Sequence, residues 1–152
     1  MITELEVMNA LYDVLIRDIN DYTPQSVENL DNKNFMIDFP SVDMMPKSTM
    51  IYLQPNYSNF EELTLQSDES QFNMAIYILA KKDKSTVLQN KVFDIYNAIY
   101  LLLKTNPTLD GAITVCGVES FDYYPAVEAN PNVKGIEMSI VLQFEKDFTE
   151  CN

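Results

Sequence analysis

Residues 72–80 constrain this chain more than any other stretch. Phe72, Met74, Ile76, Ile78 and Ala80 alternate with Asn73, Ala75, Tyr77 and Leu79, and a repeat of two is that of a strand, whose successive side chains leave on opposite faces. One face is wholly apolar and the other is apolar at Ala75, Tyr77 and Leu79. Such a strand needs cover on both sides, which predicts a central position in a sheet. The period then changes. Leu88, Val92, Ile95, Ile99 and Leu102 share one helical face, widened by Phe93, Tyr96, Tyr100 and Leu103. Asp83 or Ser85 is the expected cap, and a helix of about twenty residues is ~30 Å long. It ends at Asn106-Pro107, because the residue before proline is pushed out of helical dihedrals, and Leu109-Asp110-Gly111 forms a turn.

Weaker patterns flank this pair. Leu5, Met8, Tyr12, Leu15 and Ile19 recur at helical spacing behind a Thr3–Glu6 capping box. Pro24, Pro40 and Pro46 then break the chain into loops around one short strand at 35–39. Strands are expected at 49–54, stopped by Pro55, and at 62–66, the two pairing as a hairpin. After the long helix come strands at 112–118 and 135–144, joined by a connection over 121–134 that holds Tyr123-Tyr124-Pro125. The predicted fold is α+β: a mostly antiparallel mixed sheet of about five or six strands, with two main helices packed on one face. With 47% apolar residues and no break in composition, residues 1–152 read as one domain, which at this size buries roughly 68–70% of its unfolded surface.

Charge and missing residue types narrow the function. Ten Lys and Arg stand against 23 Asp and Glu, a net charge of −13, and there is no histidine. Serine and cysteine nucleophile systems that depend on imidazole, and imidazole metal sites, are excluded. A duplex is bound largely through Lys and Arg at its phosphates, so specific nucleic-acid binding is not expected, nor is docking to anionic lipid. The most apolar stretch, 92–103, is interrupted by Asp94 and Asn97 and is too short to span a bilayer. Without a basic leader and cleavage site at the start, the chain is expected to be soluble and to fold in a cytoplasm. Cys116 and Cys151 have neither metal-site nor disulfide-framework spacing and read as free thiols.

No motif announces chemistry. Glu61-Glu62 and Asp68-Glu69 could be hydrolytic carboxylate pairs, but neighbours in an extended chain point apart, and solvated loops are the expectation. A calcium loop begun at Asp31 fails at Phe35, Met36 and Val42, and no glycine-rich phosphate cradle occurs. The expectation is no catalytic residue, no cofactor and no metal. Lys81, Lys82 and Lys84 form the one basic cluster, read as a solvated strand end or edge protection, with a nucleic-acid patch as the lesser option. Met44 and Met45, in a predicted loop, and Tyr123, Tyr124 and Pro125 are candidate contact residues, since thioethers and tyrosines suit binding surfaces; each could equally fold back to cover the core or the sheet end.

The alternating strand at 72–80, the helix ending Leu101-Leu102-Leu103-Lys104-Thr105-Asn106-Pro107, the strand beyond Gly111, the Tyr123-Tyr124-Pro125 connection and the closing Gly135-Ile136-Glu137-Met138-Ser139-Ile140 together resemble the tail terminator and minor tail proteins of long-tailed bacteriophages and prophages. The resemblance covers about half the chain, from Phe72 onward, and contains no catalytic motif. It implies a virion assembly protein that forms a hexameric ring, caps the tail tube and joins it to the head connector. Partners would then be copies of itself, the tail tube protein and the head-tail connector protein. The setting would be the host bacterial cytoplasm during assembly and afterwards the virion tail. Two other readings compete: an acidic inhibitor that mimics DNA, and an enzyme working through carboxylates alone.

Overall fold

The computed structural model describes residues 1–148; Cys151 lies outside them. Five strands, β1 (Phe35–Ile37), β2 (Thr49–Thr64), β3 (Ser67–Lys81), β4 (Val115–Tyr124) and β5 (Val133–Asp147), form one sheet in the order β1-β2-β3-β5-β4. β1 runs parallel to β2, and every other neighbouring pair is antiparallel. Helices α1 (Glu4–Asp18) and α2 (Ser85–Thr105) cover one face. This is the expected α+β architecture, with β3 at the centre.

The core explains why both faces of β3 are apolar. Ile51 and Leu53 of β2, Met74, Ile76 and Ile78 of β3, and Ile136, Met138 and Ile140 of β5 pack under Val7, Leu11, Leu15, Leu88, Ile95, Ile99 and Leu102 of the helices. On the other face Met50, Tyr52 and Leu79 are covered by Val42, Met45, Phe39 and Val127, which belong to the two loops flanking that end of the sheet. Glu128 Oε2 joins the loops by accepting from the backbone N–H of Val42 at 2.9 Å.

Several local expectations change. The Thr3 hydroxyl does cap α1, accepting from Glu6 N at 3.3 Å. Its buried stripe, however, runs through Val7, Met8, Leu11, Val14 and Leu15, and Leu5 is exposed. Two overlapping stripes at i and i+4 were available, and the one carrying both valines fits against the sheet. Residues 49–54 and 62–66 do not pair with each other. Residues 49–64 form one long strand, which continues through Pro55 because the ladder is interrupted there by a register shift between Pro55 and Tyr57. At a bulge, proline has no ladder hydrogen bond to lose. The true hairpin partner is β3, across a turn at Leu65 and Gln66.

α2 starts after Lys84, whose side chain makes no cap; neither Asp83 nor Ser85 takes the N-cap position, and Asp83 Oδ1 instead accepts from Lys84 N. Asn106 ends the helix as expected and exchanges two 2.9 Å hydrogen bonds with Asp110. This fixes the turn in which Leu109, Asp110 and Gly111 take positive φ. β4 begins and ends later than the predicted 112–118. Tyr123 and Tyr124 therefore belong to a strand and not to the connection.

Candidate functional site

The five predicted contact residues divide among different environments. Met45 is buried against the open-face cluster, whereas its neighbour Met44 is 68% exposed. Tyr123 turns to the helix face, where its ring lies 5.3 Å from that of Phe93. Tyr124 and Pro125 are exposed. Tyr124 sits on the other face and borders a small cavity of about 180 Å3 between Phe39, Tyr77, Leu79, Val127 and Glu137. Burial, followed by the hydrogen bond to Glu137, pushes the Tyr77 phenol up to about 12, and burial with the charges of Glu137 and Asp122 raises Tyr124 as well. Both phenols stay neutral at physiological pH.

The outer half of the β2–β3 hairpin is a more extended surface, and local sequence patterns do not reveal it. Among the described residues, β2 carries a strand on its outer side only at Ile51–Leu53, through β1. Beyond that the strand is an edge, and Tyr57, Phe60, Leu63 and Leu65 are exposed along it and at the turn. Unpaired backbone beside apolar side chains is a template for association, and Pro55 and the carboxylates Glu61 and Glu62 are the kind of residues that restrain it.

The acidic pairs lie on this hairpin, in strands and not in the solvated loops expected of them. Glu61 stands directly opposite Glu69, and Glu69 opposite Glu145, so three carboxylates lie abreast on the open face. Glu62, Asp68 and Lys146 form the matching row on the helix face. These groups form lines and do not converge on a point: among the described residues, no three Cys, Asp or Glu are placed to hold a metal ion. Burial pushes the Cys116 thiol up to about 12, leaving it a packing residue in place of a nucleophile.

Where the hairpin meets the helices, one polar knot fixes it. Glu4, in the first turn of α1, accepts from Lys146 at 2.7 Å through Oε2 and from Ser58 and Ser70 at 3.3 and 3.4 Å through Oε1. Lys146 also lies 5.3 Å over the Phe60 ring.

At the opposite end of β3, Lys81 closes the strand and Lys82 and Lys84 follow it. Edge protection does not account for them, because β3 is the central strand; the strand-end reading stands.

No family model and no curated protein matches the chain. Among solved structures it is similar to the sheath/tube terminator of an extracellular contractile injection system (PVC) in the extended state. The TM-score is 0.46 and the identity 14%, over 97% of this chain and 58% of that one. The chain thus spans a little over half the length of that neighbour.

Proposed function

We propose that this protein is a structural subunit of a phage-type tail that assembles into a ring, hexameric by its resemblance to tail terminators, caps the tail tube and joins it to the head connector. It acts through surfaces and not by turnover, first in the host cytoplasm and then as part of the virion tail. The observation that carries this reading is the outer half of β2: a strand edge more than ten residues long that keeps Tyr57, Phe60 and Leu63 in solvent. A chain that works alone gains nothing from such an edge, and one that docks to copies of itself or to a tube needs it. The acidic surface is compatible with a channel through which DNA passes without sticking.

The test uses tail tubes purified without the protein. Added protein should appear by electron microscopy as a ring at one tube end and should stop further addition of tube protein. Tubes that remain bare and keep growing would overturn the reading. So would turnover of a small molecule abolished by replacing one aspartate or glutamate.

A further inference from the structure

β3 joins two surfaces of opposite character. Its fifteen residues span ~50 Å, from the hairpin turn to a cleft formed where β3 runs into α2. At the turn, Leu65 is 94% exposed, with Leu63 and Phe60 beside it. Glu61 and Glu69 flank it on one face and Glu62 and Asp68 on the other. Lys146, which stands opposite Asp68, is already held by Glu4. Like charges placed directly opposite each other in a sheet are destabilising. The row Glu61–Glu69–Glu145 therefore costs stability.

The cleft at the other end has a volume of about 720 Å3. Val42 and Val133, both buried in the open-face cluster, form its apolar floor. Lys81, Lys82 and Lys84 stand on the rim with Asp43 and Asp83. Asp83 is turned to the backbone N–H of Lys84. None of the three lysines joins an ion pair among the described residues. Three lysines against two aspartates leave the rim at +1, and an apolar floor beneath it complements an apolar finger with acidic flanks.

We propose that the β2–β3 hairpin tip of one copy seats in the Lys81–Lys82–Lys84 cleft of the next. The inference rests on the ring-subunit reading and supplies its contact. Two copies each at −13 repel in most orientations, and tip against cleft is an orientation that brings unlike charges together. Tip and cleft lie at opposite ends of one strand, so the contact is head to tail. It leaves a free tip and a free cleft at the two ends of any chain of copies, the heterologous geometry that a ring uses when the rotation between copies closes.

Charge reversal tests it in trans. E61K/E62K/E69K takes the four tip acids from −4 to +2 and turns the Glu62–Asp68 and Glu69–Glu145 pairs into unlike charges, with positions 61 and 69 remaining a like pair. K82E/K84E reverses the cleft and places acid at the start of α2, where the helix dipole favours it. Both variants are therefore expected to fold, which circular dichroism checks. By sedimentation velocity and native mass spectrometry, the wild type should form oligomers that weaken between 0.1 and 1 M salt, as the screening length falls from ~10 to ~3 Å. Each variant alone should associate at least tenfold more weakly. An equal mixture of the two should recover association, now in even-numbered species with the variants alternating, and the variant that combines both sets should recover it unaided. Oligomers that persist in either single variant, or a mixture that stays monomeric, would overturn the pairing. So would a wild type monomeric at every concentration, or a cleft that captures a short DNA duplex without self-association. Capping of purified tubes is read separately: a protein that caps tubes without charge-swap rescue sinks this contact alone, and rescue without capping sinks the terminator reading instead.

Discussion

Lys146 Nζ donates to Glu4 Oε2 at 2.7 Å, joining the last strand to the first turn of the first helix across 142 positions of sequence. Both side chains are largely shielded, 17% and 28% exposed. Burial works to raise the Glu4 pKa, but the hydrogen bond from Lys146, the helix backbone, the Lys146 charge and Ser58 outweigh it, and the carboxyl titrates below its ordinary 4.5. A carboxyl with a depressed folded pKa contributes stability that is complete above the unfolded value and is lost as pH falls through the folded one. Lys146→Met should therefore cost about 1–2 kcal/mol at pH 7. The difference from wild type should shrink below pH 4.5 and vanish once Glu4 is protonated in the folded state. Urea melts of both proteins from pH 7 down to pH 3 check this. A gap that does not change with pH would mean Lys146 acts only by packing on Phe60.

Cys116 is 7% exposed on β4, and its thiol is raised to about 12, chiefly by burial, with Lys104 opposing. Alkylation needs the thiolate and access. Iodoacetamide at pH 8 should leave Cys116 unmodified in the native protein and label it at the rate of unfolding as urea is added. Peptide mapping by mass spectrometry separates it from Cys151. Prompt labelling without denaturant would contradict the burial of β4.

The elements that sequence reading located were those whose side-chain period is strong over many residues. Strand β3 and helix α2 carry apolar residues on wide, uninterrupted faces, and the Asn106-Pro107 stop is dictated by backbone sterics alone. Misreadings came where two local solutions are close in energy or where the deciding contact is distant. Leu5 and Val7 each extend a plausible α1 stripe, and only the sheet beneath selects Val7. Pro55 reads as a strand end unless one knows that a bulge follows it. The carboxylate row is invisible for the same reason: Glu61, Glu69 and Glu145 become neighbours only through the register of three strands, which no short window contains. Of the contact candidates, the Met44-Met45 pair splits because a 3-10 turn over Val42–Met44 ends between them, leaving Met44 in solvent while Met45 packs in the cluster with Tyr52.

Tyr52 is wholly buried, and its hydroxyl is unpaired among the described residues. Its ring packs edge-on against Phe39 at 5.0 Å, so the side chain is held by its apolar body. Removing an unsatisfied buried hydroxyl relieves its desolvation cost. Tyr52→Phe should raise stability by about 1 kcal/mol, whereas Tyr52→Ala should lower it by about 3–5 kcal/mol through the cavity left behind. Thermal and urea midpoints measure both. A less stable phenylalanine variant would show that the hydroxyl is bonded in solution.

Gly135 on β5 lies directly against Val127 of the open-face loop. A Cβ there would lie 2.7 Å from Leu79 Cδ2 and 2.9 Å from Val127 Cγ2. Leucine can swing its terminal methyl, but valine's methyl is tied to a stiff χ1. Gly135→Ala should cost about 1–3 kcal/mol as overpacking, and adding Val127→Ala should recover most of that. The double-mutant cycle, measured by urea unfolding, decides whether Val127 is the limiting contact.

Glu69 sits between two carboxylates, opposite Glu61 on one side and Glu145 on the other. If that row exists for docking, its stability cost and its binding role should separate under one substitution. Glu69→Lys converts two like-charge pairs into two opposite-charge pairs, each worth roughly 0.2–1 kcal/mol across a sheet. It should raise the urea midpoint by an amount that falls with added salt. The same variant should associate with itself, or with tail tubes, more weakly than wild type. A variant that is more stable and assembles as well as wild type would leave the row without a role in contact, and would place the docking surface at Phe60, Leu63 and Leu65 alone.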